Sequence, residues 1–66
     1  MNTKQAQDLQ PGDTIKTYKG WSPIETVEII EDETGYRHVG IDFWDTGKLI
    51  YAAEDLDAEI EVWSES

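Results

Sequence analysis

Apolar residues recur at every second position over most of this chain, and that period organises it rather than the period of a helix. The clearest run is 36–44, where Val39, Ile41 and Phe43 alternate with His38, Gly40, Asp42 and Trp44. Successive side chains of a strand point to opposite faces, so this run predicts one core face and one outer face. The run 13–19 alternates too, with Ile15 and Thr17 on one side and Lys16 and Tyr18 on the other. Over 48–53, Leu49 and Tyr51 share a face; over 58–63, Ala58, Ile60 and Val62 turn inward. The run 24–31 is out of step: Val27 and Ile29 share a face, while Ile24 and Ile30 fall on the other. A bulge inserts one residue and bends the strand, and would reconcile these positions.

Turn residues separate the runs. Pro11-Gly12 suits the centre of a type II turn, since proline presets φ and glycine accepts a positive one. Gly20-Trp21-Ser22-Pro23 is expected to interrupt the strands on either side. Residues 31–35 read as a loop with Gly35 supplying a permissive dihedral, and Asp45-Thr46-Gly47 reads as a tight hairpin. Glu54-Asp55-Leu56-Asp57 reads as a turn or a single 3₁₀ turn. The first nine residues predict a short helical turn, capped by Asn2 with Gln5 reaching back. Ala6 and Leu9 then lie three apart on one face, and Gln10, preceding Pro11, leaves the helical region.

One domain over 1–66 follows, with a helical turn and lead-in over 1–10, strands over 11–63 and a frayed tail over 64–66. Five short strands joined by glycine-bearing turns predict an all-β fold, a small five-stranded barrel or roll. Curling the sheet makes one face an interior and reduces exposed edges.

Composition changes the picture mainly through charge. Fifteen Asp and Glu stand against five Lys and Arg, a net charge of −10. Such a chain lacks the basic footprint that phosphates require, which argues against direct nucleic-acid binding and against an anionic membrane surface. There is no cysteine, hence no disulfide framework and no thiol chemistry. No apolar run reaches the length of a membrane span or a signal peptide, so a cytoplasmic location is expected.

No catalytic set assembles from this sequence. The single histidine, His38, reads as an exposed surface residue, and Asp42 lies about 13 Å along the same strand face. Ser22, Ser64 and Ser66 have no base near them in sequence. Glu31-Asp32-Glu33 and Glu54-Asp55-x-Asp57 offer oxygen ligands but lack the calcium-loop spacing, and read as solvated loops. The expectation is a non-enzymatic protein without metal or cofactor.

The candidate binding residues are aromatic and acidic. Trp44 and Trp63 fall on outward faces, with Tyr18 and Tyr36 able to join them, and exposed aromatic residues mark binding surfaces. Beside carboxylates they would attract a cationic or proline-rich segment. The competing reading has Trp21, Trp44 and Trp63 lidding the barrel ends. Asp57, Glu59 and Glu61 alternate, so one strand face would carry three carboxylates about 6.7 Å apart. The candidate set is therefore Trp44, Trp63, Tyr36, Asp42, Asp57, Glu59 and Glu61.

Leu9-Gln10-Pro11-Gly12-Asp13 is similar to the Leu-x-Pro-Gly-Asp opening of many small SH3-like barrels. Gly20-Trp21, Ile24, Val27, the strand Val39-Gly40-Ile41-Asp42-Phe43 and the turn Asp45-Thr46-Gly47 follow it. Over 6–62 the chain resembles small SH3-like barrel proteins encoded by bacteriophages and bacteria, which have no assigned catalytic residues. That resemblance implies the fold, and a phage or prophage source. Together with the charge it gives a protein-interaction module whose partner presents a basic surface. Two other readings stand beside it: an acidic nucleic-acid mimic that inhibits a host DNA- or RNA-binding enzyme, and a small structural subunit of a larger assembly.

Overall fold

Val39, Ile41 and Phe43 lie at the centre of the fold, where their alternation puts them. The structure, a computed structural model, describes residues 2–18 and 20–63. Its strands are β1 (Asn2–Gln5), β2 (Thr14–Thr17), β3 (Gly20–Glu31), β4 (Arg37–Asp45), β5 (Lys48–Asp55) and β6 (Glu59–Val62), with a 3₁₀ turn at Ala6–Asp8. They form an antiparallel sheet in the order β1-β6-β2-β3-β4-β5, open at β1 and β5. The fold is all-β as expected, but six strands replace the five predicted among the described residues. The expected tail at 64–66 lies outside the described residues.

The extra strand is at the N-terminus. Residues 2–5 were expected to start a helical turn; instead they pair with β6, from Asn2↔Val62 to Gln5↔Glu59. Gln5 is extended, at φ −68° and ψ 147°, and no side chain caps the 3₁₀ turn that follows it. An isolated helical turn fixes several dihedrals for one hydrogen bond, whereas this segment joins an existing ladder. Lys4 Nζ reaches Asp13 Oδ2 at 3.0 Å and ties the strand to the next turn. Ala6 and Leu9 are buried together, as their spacing predicts.

The Pro11-Gly12 turn forms, with Gly12 at φ +97° and the Asp13 N–H donating to the Gln10 carbonyl at 3.1 Å. Gly20 to Pro23 do not interrupt the strands. They begin β3 and pair with β2, from Thr17↔Gly20 to Thr14↔Pro23. The Ile24 N–H donates to the Asp13 carbonyl at 2.8 Å, so Pro23 occupies a non-hydrogen-bonded position that asks nothing of its nitrogen. Ser22 turns inward, where its hydroxyl lies 3.3 Å from that of Thr17.

The register of β3 against β4 shifts between Ile24 and Thr26, which leaves Glu25 as the bulge. Ile24, Val27 and Ile29 consequently lie opposite Phe43, Ile41 and Val39, all on one face, and Ile30 goes to the other with His38. The apolar residues that were out of step are thus realigned. Beyond the Glu25 bend the sheet closes over a core of Ala6, Leu9, Ile15, Ile24, Val39, Ile41, Phe43 and Val62. Val27, Ile50, Ala52, Leu56, Ala58 and Ile60 pack against this core in part.

Strand β5 runs through Asp55, two residues further than expected, and the chain turns at Leu56 and Asp57 with the Ala58 N–H donating to the Asp55 carbonyl. Leu49 and Tyr51 share a face, and it is the outer one. The hairpin between β4 and β5 has Thr46 at φ 48° and Gly47 at φ 79°. Two positive φ values match the right-handed twist of the flanking strands. Glycine takes this conformation freely; β-branched Thr46 takes it under strain.

Phe43→Ala is expected to destabilise by about 3–5 kcal/mol, which lowers Tm by more than about 12 °C. A melt within a few degrees of wild type would show that the ring does not anchor the core. Thr46→Asn relieves the left-handed strain and is expected to stabilise by about 0.5–1 kcal/mol, read as a higher urea midpoint at unchanged m.

Candidate functional site

Trp44 stands on the outer face of β4 and is 41% exposed. It faces Leu49 across the β4–β5 ladder. Its indole N–H donates to Glu25 Oε2 at 3.0 Å, so the bulge residue holds the ring. Asp42 lies two residues back on the same face, opposite Tyr51 and Thr26, and accepts the Thr26 hydroxyl at 2.8 Å. Gly40 is next along the face. A Cβ there would lie 2.8 Å from Tyr51 Oη and 2.9 Å from Ile30 Cδ1. The missing side chain lets Tyr51 and Ile30 lie over the strand. Leu49, Tyr51 and Trp44 form an apolar strip on this face, with Asp42 and Glu25 as carboxylates.

A second cluster gathers at Tyr36. Its hydroxyl donates to Asp55 Oδ1, and its ring stacks on His38 with centroids 6.1 Å apart. His38 is half-buried rather than exposed, because it lies between the Tyr36 ring and β5. Asp32 shapes the loop before Tyr36. Its Oδ1 accepts the Thr34 N–H at 2.8 Å, the Thr34 hydroxyl at 2.6 Å and the Tyr36 N–H at 3.1 Å. The Thr34 bonds, chiefly that from its hydroxyl, hold the Asp32 carboxyl below its ordinary range. The bond to Asp55, followed by that residue's charge, pushes the Tyr36 phenol up, and Asp57 adds to the same effect. Asp57 and Tyr36 also line one shallow cleft with Arg37, Asp55 and Leu56.

Trp63 joins a third group. Its ring meets Trp21 edge to face at 5.2 Å, and Lys16 Nζ lies 5.2 Å from the Trp21 centroid. The Trp63 N–H donates to the Thr14 carbonyl at 2.8 Å. Both rings keep exposed surface on the outer side of β2 and β3. Glu59 and Glu61 lie on β6, opposite Gln5 and Thr3, with Glu59 exposed and Glu61 half-buried. The fold thus brings Trp44 to Asp42 and Tyr36 to Asp57, and places Trp63 with Trp21 and Lys16.

Sequence reasoning missed the Lys16–Trp21 pair because it placed Trp21 in a loop. The pairing of Thr17 with Gly20 sets Lys16 opposite Trp21. It also missed a cleft of about 360 Å³ that opens beside β5, lined by Ile15, Ile41, Phe43, Ile50, Ala52 and Ile60 among others, with Glu54 and Lys16 contributing charge.

Among the described residues no three His, Asp or Glu side chains gather as a metal-holding group, and no helix is long and apolar enough to cross a membrane. Comparison with protein-family models, curated proteins and solved structures found no match to this chain.

The two shifted groups titrate in opposite windows. The Tyr36–Asp55 bond is complete below the ordinary tyrosine range and is lost as pH rises through the raised Tyr36 value. The Asp32 tethers are complete above the ordinary aspartate range and are lost as pH falls through its lowered value. A phenolate absorbance titration is expected to show a late component that Tyr36→Phe removes. The Thr34 amide resonance should move only at a pH below the usual aspartate midpoint; movement at that midpoint would contradict the tethered geometry.

Proposed function

We propose that this chain is a non-enzymatic protein-interaction module, an SH3-like roll that docks on a basic protein surface through the outer face of β4 and β5. The observation that carries this reading is Trp44: an indole with open surface, already held in place by Glu25, beside Leu49 and Tyr51. Interface energy concentrates in such aromatic anchors, and holding one in advance reduces the cost of ordering it on binding. Asp42 and Glu25 beside the strip, on a chain of net charge −10, favour a cationic partner and speed its approach. The Leu9-to-Asp13 opening, with its formed Pro11-Gly12 turn, supports the SH3-like reading; the accessory role for a phage or prophage in the host cytoplasm follows from the family resemblance alone.

Immobilised wild type, Trp44→Ala and the triple charge reversal at Asp57, Glu59 and Glu61 separate this proposal from nucleic-acid mimicry. The bait captures partners from bacterial lysate, and binding of each captured partner is then measured at low and high salt. Trp44→Ala should melt like wild type and weaken partner binding by about 30-fold or more, while the reversal slows association and flattens its salt dependence. The opposite ranking, with Asp57, Glu59 and Glu61 dominant and Trp44 dispensable, would indicate a phosphate mimic. A Trp44→Ala protein that fails to fold would assign the ring to the core.

A further inference from the structure

Strand β5 is an edge strand whose charges lie only at its ends, so its middle carries no guarding residue; the 3₁₀ turn at Ala6–Asp8 packs near the strand without pairing with it. Among the described residues it pairs with β4 alone, over eight successive positions from Asp45↔Lys48 to His38↔Asp55 without a bulge. Proteins protect such edges with short strands, proline, bulges or central charges. The other edge, β1, is four residues long with Lys4 inside it. Strand β5 is twice that length, has no proline, and is uncharged from Leu49 through Ala53.

The hairpin fixes which backbone groups face outward. Its two-residue loop makes Asp45 and Lys48 the closing hydrogen-bonded pair, so Lys48, Ile50, Ala52 and Glu54 turn their backbone groups toward β4. Leu49, Tyr51 and Ala53 turn theirs to the open edge.

We propose that β5 is a self-pairing edge: two copies of this chain join through it, antiparallel about a two-fold axis at Tyr51, into one continuous sheet. This register sets Tyr51 against Tyr51, Leu49 against Ala53, Ile50 against Ala52 and Lys48 against Glu54. Every outward-bonding residue meets another outward-bonding residue. Every pair also joins like faces, as one continuous sheet requires. A two-fold contact repeats every pair off the axis, so Lys48 opposes Glu54 twice. Sliding the strands by two residues in either direction sets Glu54 opposite Ile50 or Lys48 opposite Ala52 and loses the charge match. The inner-face pairs also fall along the cleft beside β5, where Ile50, Ala52 and Glu54 form part of the lining. The axis is perpendicular to the sheet, so the two Trp44 faces stay uncovered and on the same side. The proposal concerns the edge and stands independently of what Trp44 binds.

Sedimentation equilibrium of the wild-type protein over a range of concentrations, in moderate salt to screen the net charge, tests the association. Hydrogen exchange on the same samples tests the edge. A dimer should accumulate with concentration, and the Leu49, Tyr51 and Ala53 amides should gain protection with it, while those of Ile50 and Ala52, already bonded to β4, should not change. Lys48→Glu and Glu54→Lys should each weaken dimerisation by about tenfold, and the combined swap should restore it. A monomer at every concentration overturns the proposal. So does a dimer that leaves those three amides unprotected, or a folded double swap that associates no better than the single variants. If a variant fails to fold by circular dichroism, the wild-type arms still decide. Protection gained only on adding a lysine-rich peptide would assign the edge to a foreign strand and would also overturn it.

Discussion

The one-residue shift at Glu25 is the constraint on which the rest of the molecule depends. Strand β3 serves both parts of the sheet: its first residues pair with β2 and the remainder with β4. Without the extra residue, Ile24 would face away from Val27, and one part of the sheet would turn its apolar face to water. With it, Ile24 meets Phe43, Val27 meets Ile41, and Ile15 and Val62 from the other part join the same core. A bulge also adds local twist, which is what so short a sheet needs in order to coil. The same residue that bends the strand presents its carboxylate outward and orients Trp44. Fold and candidate surface therefore share a single structural cause.

Scarcity of interior shapes the surface. Among the described residues eight hydrophobic side chains are buried, and none of the three tryptophans and three tyrosines is among them. Four of these rings are held by a polar or aromatic neighbour: Trp44 by Glu25, Tyr36 by Asp55 and His38, and Trp21 and Trp63 by each other, with Lys16 over Trp21. A ring on an outer face needs such a neighbour to adopt a defined orientation. The groups sit on different parts of the sheet: Trp44 on the outer face of β4, Tyr36 before β4, and Trp21 with Trp63 beside β2 and β3.

The parts that were legible from the sequence are those whose cause is local. Alternation alone identifies Val39, Ile41 and Phe43, because β4 is central and its two faces differ in polarity. The Pro11-Gly12 and Asp45-Thr46-Gly47 turns rest on dihedral preferences of their own residues. Even the bulge can be inferred, since the misplaced isoleucine and valine positions require it. Strand β1 could not be read this way. Residues 2–5 contain no apolar side chain, and what makes them a strand is the unsatisfied edge of β6 at the far end of the chain. Gly20 to Pro23 misled because glycine and proline usually signal a break, yet here the proline falls where the ladder needs no donor. The grouping of Trp21 with Trp63 and Lys16 depends on both of those pairings, so it was hidden for the same reason. Trp44 was placed on the outer face by parity alone, while its Glu25 partner required knowing where the bulge falls.

Gly40 has a further consequence, for how sequences sharing this fold would vary. Glycine is favoured there by what lies above it and not by its own dihedral, since the ends of the Tyr51 and Ile30 side chains occupy the space of a Cβ. A larger residue at this position is compatible with the fold only if one of those two shortens or swings aside. Positions 30, 40 and 51 should therefore change together, one from each of β3, β4 and β5, although they are far apart in sequence. Such a three-way covariation records the β3–β4–β5 packing in a form that would persist after the surface residues have diverged.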